Sequence, residues 1–180
     1  METGRNIGRD LRLFRLLAPN LVELWEYIPT DIDEENGENV YPSPFEVTQT
    51  VLDRCAEVLD RSGLVTNVKR LLAEFIYRES QAPTVVGKGF AIPHVRSKNV
   101  KDLTMCFLRY PESAPMKGAM ATEKVHYVFG IITPIYEEDT DYQKVYRKLL
   151  NIIKKDESFT LALSEMSDPG EIAPILKMRE

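Results

Sequence analysis

The chain has only two histidines, His94 and His126, so the chemistry open to an imidazole can be weighed at each. His94 closes the run Val86-Gly87-Lys88-Gly89-Phe90-Ala91-Ile92-Pro93-His94. A neutral imidazole, with an ordinary pKa of about 6.5, keeps one ring nitrogen free as a nucleophile at neutral pH. Attack on phosphorus gives a phosphoramidate, which passes its phosphoryl group onward easily. Such a step needs positioning and charge neutralisation more than acid–base work. Arg78, upstream, supplies a guanidinium suited to bidentate contact with phosphoryl oxygens. Gly87 and Gly89 allow positive φ or close backbone approach, and exposed N–H groups there could cradle an oxyanion. On residue types alone, a histidine after proline in a loop also suits a plain surface or capping role. His126 lies in Lys124-Val125-His126-Tyr127-Val128-Phe129; a strand histidine flanked by aromatics reads as structural. No further His, Cys or clustered carboxylate stands at ligand spacing, so no metal is expected. No phosphate-binding Walker loop, nucleophile elbow or zinc-protease helix is present, and no cofactor is implied.

These residues need elements to hold them. Ser43-Pro44-Phe45-Glu46 predicts a capped helix start, with Ser as N-cap, Pro at the first helical position and Glu at the third. Val51, Leu52, Cys55 and Leu59 continue at helical spacing, and Ser62-Gly63 stops the helix. A second helix is predicted over about 66–79, with Leu71, Leu72, Phe75 and Ile76 as its apolar stripe. Phe90, Ala91 and Ile92 then form a short buried stretch. Pro93, having no N–H to donate, ends strand pairing. His94 is thus expected on a loop just past a strand end, the rim where ligands gather in open α/β sheets. Runs rich in β-branched and aromatic residues predict strands over 103–109 and 125–133. An acidic turn over 137–141 precedes a helix over about 142–155, and Asp168-Pro169-Gly170-Glu171 opens the last helix. Residues 11–17 read as a short amphipathic piece, and 21–25 as a strand or a helical turn. Helices and strands alternate, which predicts an α/β fold: a three-layer sandwich whose mixed, mostly parallel sheet has helices on both faces.

Length and composition set the outer bounds. At 180 residues the chain is long enough to bury one core without staples, and 43% hydrophobic with 28% charged residues is ordinary for a globular protein. A net charge of −5 argues against nucleic acid, which needs a basic face, and gives no support to an anionic membrane role. No apolar run approaches the roughly 20 residues that a membrane span requires, so no direct membrane insertion is expected. No apolar stretch of the secretory kind follows the first arginines. The two cysteines, Cys55 and Cys106, sit in apolar patterns and read as buried reduced thiols. Together these point to the cytoplasm. One composition shift, over 27–44, gathers Asp31, Asp33, Glu34, Glu35 and Glu38. It reads as an exposed acidic loop, either a solvated insertion or a partner-binding element.

From Leu71-Leu72 through Arg78-Glu79, and on through Pro83-Thr84-Val85-Val86 to Pro93-His94, the sequence resembles the EIIA domain of the bacterial phosphotransferase system, of fructose/mannitol and nitrogen-regulatory type. That family's pattern is a Leu-rich helix, an Arg-Glu pair, a Thr and a Gly-x-Gly-apolar-Ala-apolar-Pro-His run. Arg78 and His94 fall on its arginine and its phosphorylated histidine. The resemblance continues in the apolar strand ending at Pro134 and the long helix from Tyr142. It implies a single EIIA type-2-like domain over 1–180, with its core over about 44–176 and the 27–44 segment as an insertion. It implies phosphorylation of His94 on Nε2 by an HPr-like phosphocarrier protein. The phosphoryl group would pass to an EIIB domain or act as a switch on a regulated target protein.

The chain departs from the pattern where the family commonly has a second histidine, at the start of the long helix. Here the sequence reads Asp141-Tyr142-Gln143. A Tyr142 hydroxyl could hydrogen-bond a phosphoryl oxygen but brings no positive charge; equally, Tyr142 could be a helix-start residue that only packs. This keeps open an alternative, a degenerate EIIA-like binding or regulatory module that takes no phosphate. Arg96 and Lys98, just after His94, could steer an acidic partner or simply be solvated.

Overall fold

The computed structural model describes residues 11–25, 31–40, 42–118, 120–135 and 140–180. Ser43 starts α1 (Pro44–Asp60): its hydroxyl accepts from the Glu46 N–H and the Glu46 carboxylate accepts from the Ser43 N–H, a complete capping box ahead of Pro44. The helix buries Val47, Val51, Leu52, Cys55 and Leu59 along one stripe. The second helix, α2 (Val68–Gln81), begins slightly later than the spacing alone suggests, because Asn67 accepts from the Arg70 N–H and sets the start. It buries Leu71 and Phe75.

The strands are β1 (Val22–Leu24), β2 (Asp31–Ile32), β3 (Asn39–Val40), β4 (Val85–Gly87), β5 (Phe90–Ala91), β6 (His94–Ser97), β7 (Thr104–Lys117) and β8 (Thr122–Pro134). After them come α3 (Thr140–Lys155), α4 (Glu157–Glu165) and α5 (Ile172–Lys177). The main sheet runs β1-β7-β8-β5-β4, with β6 also on β8. β1 lies parallel to β7, and β5 and β6 lie parallel to β8, while β7–β8 and β4–β5 are antiparallel. The sheet is therefore mixed, with three parallel pairings against two. Residues 21–25 resolve into a short 3-10 turn, Pro19–Leu21, followed by strand β1.

Alternation along the central strands separates the two faces. Cys106 pairs with Gly130, and a Cβ added at Gly130 would lie 2.8 Å from the Cys106 sulfur and 3.3 Å from that of Cys55 in α1. Only glycine lets α1 come so near the sheet. One step along, Phe107 pairs with Phe129 and both turn to the other face. There Phe129 and Phe90 stack on Phe159 of α4, at 6.2 and 5.8 Å between ring centroids. Helices thus cover both faces, and the layered architecture is the one expected. Cys55 and Cys106 are free and buried.

Three local differences from the sequence reading have physical reasons. The strand expected to stop at residue 109 continues to Lys117; the register shifts between Arg109 and Ala114, an irregularity of the kind a β-bulge makes, and pairing then resumes. Residues 157–165, with no strong apolar stripe, form α4 because Asp156 caps them, accepting from the Ser158 N–H. The acidic 27–44 segment is not all loop. β2 and β3 pair around a turn in which the Asp33 carboxylate accepts from the Glu35 N–H, with Gly37 at φ +71°. Residues 27–30 and 41 of that segment, and 137–139 of the expected acidic turn, lie outside the described residues.

At the N-terminal side, the 3-10 turn Leu13–Arg15 is capped by a distant group. The Glu180 carboxylate, 1% exposed, accepts from the N–H of Leu13 and of Phe14, with Lys148 alongside.

Candidate functional site

His94 is the first residue of β6, directly after the break at Ile92-Pro93, rather than a loop residue. β5 pairs with Tyr127 and Val128; β6 resumes at Ile131, where the Ile131 N–H donates to the Pro93 carbonyl. Pro93 interrupts the ladder without redirecting the chain. The half-buried His94 ring lies between the C-terminal end of α2 and the first turns of α3.

Both ring nitrogens are engaged. Nδ1 lies 2.7 Å from the Ile92 carbonyl oxygen. A carbonyl can only accept, so Nδ1 carries the proton and Nε2 holds the lone pair. Nε2 faces Arg78, whose Nη2 is 3.2 Å away, while its Nη1 donates to the Ala82 carbonyl at 2.8 Å. Burial, foremost, and the nearby guanidinium press the His94 pKa below its ordinary value; the Ile92 carbonyl opposes them. The ring is therefore neutral at neutral pH, with its nucleophilic nitrogen beside a cation that would neutralise an arriving phosphoryl group.

Two tyrosines close the other side. The Tyr142 ring centroid is 5.6 Å from that of His94, and Tyr146 is nearer, at 5.1 Å. They stand one turn apart on the same face of α3. Tyr142 thus lies where the sequence placed it. The spacing reads Tyr146 as one more apolar position of its helix; only its place one turn beyond Tyr142 hints at the site.

The glycines require a correction. Gly87 (φ +90°), Lys88 (φ +54°) and Gly89 (φ +83°) form the tight turn between β4 and β5. The Gly89 carbonyl accepts from the N–H groups of His126 and Tyr127. From the Tyr127 register to that of His94 is four positions along β8, roughly 13 Å at strand spacing. Their N–H groups are therefore not a phosphate cradle for His94. What the glycines permit is the turn, and His126 packs on it: a Cβ at Gly89 would meet its ring at 3.4 Å.

A further residue belongs to the site at one remove. Glu79, next to Arg78, accepts from both the N–H and the hydroxyl of buried Thr84, at 2.9 and 2.7 Å. Outside the site, Arg96 and Lys98 alternate with buried Val95 and Ser97, and Arg96 donates to the Ile135 carbonyl. With Arg70 and Arg78 they line an open groove of about 650 Å³ between α2 and β6. Among the described residues, no group of three or more His, Cys, Asp or Glu could hold a metal ion, and no helix is long and apolar enough to cross a membrane.

The chain is similar to several known proteins. Among curated proteins, the chain is 27% identical over 114 residues to the PTS system 2-O-alpha-mannosyl-D-glycerate-specific EIIABC component of Escherichia coli, covering 63% of this chain. It is 24% identical over 120 residues to the fructose-specific EIIABC component of Bacillus subtilis, covering 67% of this chain. The aligned parts are only 17% and 19% of those relatives' lengths. Among solved structures, the nitrogen regulatory protein IIA-Ntr of Neisseria meningitidis superimposes with a TM-score of 0.70 at 20% identity, covering 91% of this chain and 97% of that one. IIA mannitol of E. coli gives 0.66 at 21% identity, covering 89% and 98%. These similarities show the same fold. The family model described as phosphoenolpyruvate-dependent sugar phosphotransferase system, EIIA 2, matches residues 40–178, and the chain belongs to that family.

Proposed function

We propose that this chain is a phosphoryl carrier whose acceptor and donor atom is Nε2 of His94. One observation carries the reading: the Ile92 carbonyl fixes the proton on Nδ1, leaving Nε2 bare and facing the Arg78 guanidinium. The Nε2 lone pair attacks the phosphorus of a phosphorylated HPr-like protein. The new N–P bond forms as the donor's bond to phosphorus breaks, and the donor atom keeps that electron pair. Arg78 swings its donors from the bare nitrogen to the phosphoryl oxygens. Nδ1 keeps its proton throughout, so neither transfer waits on an external base.

The onward acceptor is an EIIB-type domain. The EIIABC names of the curated relatives support this, as does the similarity to IIA mannitol solved in complex with phosphorylated IIB mannitol of E. coli, with a TM-score of 0.63. The basic groove beside Arg78 suits an acidic partner surface. Tyr142 and Tyr146 favour a second use of the same chemistry. They surround His94 with neutral rings where a second histidine could offer charge, so the phosphorylated state would persist and serve as a switch on a regulated target. The whole chain is proposed to act as one EIIA domain in the cytoplasm.

The test is incubation with phosphoenolpyruvate, enzyme I and HPr, followed by intact-mass analysis at alkaline pH, where phosphohistidine survives. A single phosphate adduct that disappears in His94→Ala is expected. No adduct with the cognate donor would overturn the carrier reading in favour of a module that binds without phosphoryl chemistry.

A further inference from the structure

Arg78 and Glu79 are consecutive, yet they reach opposite nitrogens of the same imidazole. Arg78 touches Nε2 directly. Glu79 reaches Nδ1 through three links. Its carboxylate accepts twice from Thr84, at 2.9 and 2.7 Å; the Thr84 carbonyl accepts from the Ile92 N–H at 2.9 Å; the Ile92 carbonyl accepts from Nδ1 at 2.7 Å.

Each link lies where the backbone has little other support. Thr84 stands just before β4 and is 4% exposed, so its N–H and hydroxyl have no ready access to water. One carboxylate takes both, and that two-point grip fixes the peptide's position as well as its orientation. Ile92 is fully buried between β5 and β6, and the next residue, Pro93, has no N–H for the ladder. The Thr84 carbonyl thus anchors the Ala91–Ile92 peptide, one Cα before the Ile92–Pro93 peptide whose carbonyl meets Nδ1. Charge-assisted bonds at the head of such a chain are its strongest members, and the links pass position from one residue to the next through the backbone at Thr84 and Ile92.

We propose that Glu79 is a positioning residue for His94: by fixing Thr84 it aims the Ile92 carbonyl that holds the proton on Nδ1, and so keeps Nε2 the nucleophile. The consequence for transfer rests on the carrier reading; the effect on the ring does not. Adjacent positions at the end of one helix thereby set both nitrogens, one by charge and one by tautomer.

The test reads the His94 imidazole nitrogens by ¹⁵N NMR in the full chain, beside the rate of phosphoryl acceptance from HPr. In Glu79→Ala the two nitrogen shifts should move toward each other as the second tautomer becomes populated. The rate should fall about tenfold, the low end of what losing the group behind an oriented histidine costs elsewhere. Glu79→Gln should restore both, because a neutral amide can accept from the Thr84 N–H and donate to its hydroxyl oxygen. A folded Glu79→Ala protein with wild-type ring shifts would overturn the proposal. Should that variant fail to fold, Thr84→Val removes only the hydroxyl from the grip; the shifts should then converge in part, and unchanged shifts overturn the proposal equally. If no variant, nor the parent, accepts phosphate, the carrier reading falls while the ring shifts still decide the part played by Glu79.

Discussion

The stretch from β4 to β6 is interrupted twice, at 87–89 and at 92–93, and the two interruptions are built differently. At the first, three successive residues have positive φ, and the chain reverses to pair β4 with β5. At the second the chain carries straight on, and only a missing proline N–H and a short lapse in pairing mark the place. The first is conspicuous in sequence and holds no group that reaches the His94 ring. The second is quiet in sequence, yet its peptide carbonyl settles which ring nitrogen of His94 can react. In this fold, unusual backbone makes a corner, whereas ordinary backbone with one hydrogen bond redirected makes the nucleophile.

Three substitutions or conditions would sharpen or break that contrast. The largest effect is expected from Arg78→Ala. It removes the charge facing Nε2 and should slow phosphoryl acceptance roughly 100-fold, as loss of a preorganised donor does elsewhere, with the fold retained. Stopped-flow or quench measurement of transfer from HPr would check it, and an unchanged rate would remove Arg78 from the mechanism. Gly89→Ala comes next, and its effect should fall on stability alone. An L residue forced to φ +83° beside the His126 ring should lower unfolding free energy by about 1–2 kcal/mol. Transfer per folded molecule should stay as in the parent; a slowed rate in fully folded protein would give the turn a direct part in chemistry after all.

The smallest effect is a shift in pH dependence. Because the folded-state pKa of His94 lies below its ordinary 6.5, the neutral ring persists as pH falls through 6.5, and the acceptance rate should reach half its plateau only below that value. The unfolded chain binds the proton more readily there, so His94 also makes stability decline with falling pH between 6.5 and its folded pKa. Arg78→Ala should move the midpoint back upward, since the guanidinium is one of the two influences holding it down. An acceptance profile centred at or above 6.5 in the parent would contradict the buried, neutral ring.

Much of this is legible in the sequence, and what escapes it has common physical causes. The capped start at Ser43 and the pairing of Arg78 with His94 depend on short-range chemistry that residue types announce. The layered fold follows from alternation of element types. Tyr146 escaped because apolar spacing on a helix looks the same whether it faces a core or a site. Glu79 escaped because its role passes through Thr84 and Ile92, whose meeting requires a hairpin that sequence does not display. The glycines misled for a related reason: a Gly-x-Gly run declares a special backbone without declaring its position relative to a side chain five residues on.

The carboxylate of Glu180 beneath the turn at Leu13 bears on how the chain reaches this structure. The two residues are 167 positions apart, so their contact closes nearly the whole chain. Loop closure over such a span is entropically expensive and slow to nucleate, whereas the β7–β8 hairpin joins neighbours in sequence and can form locally. Assembly should therefore begin at the hairpin and end at the seam between residues 11–17 and α5. That seam is then the part expected to open first and most often in the native state, and Lys148 ties it to α3, the helix whose Tyr142 and Tyr146 flank the imidazole.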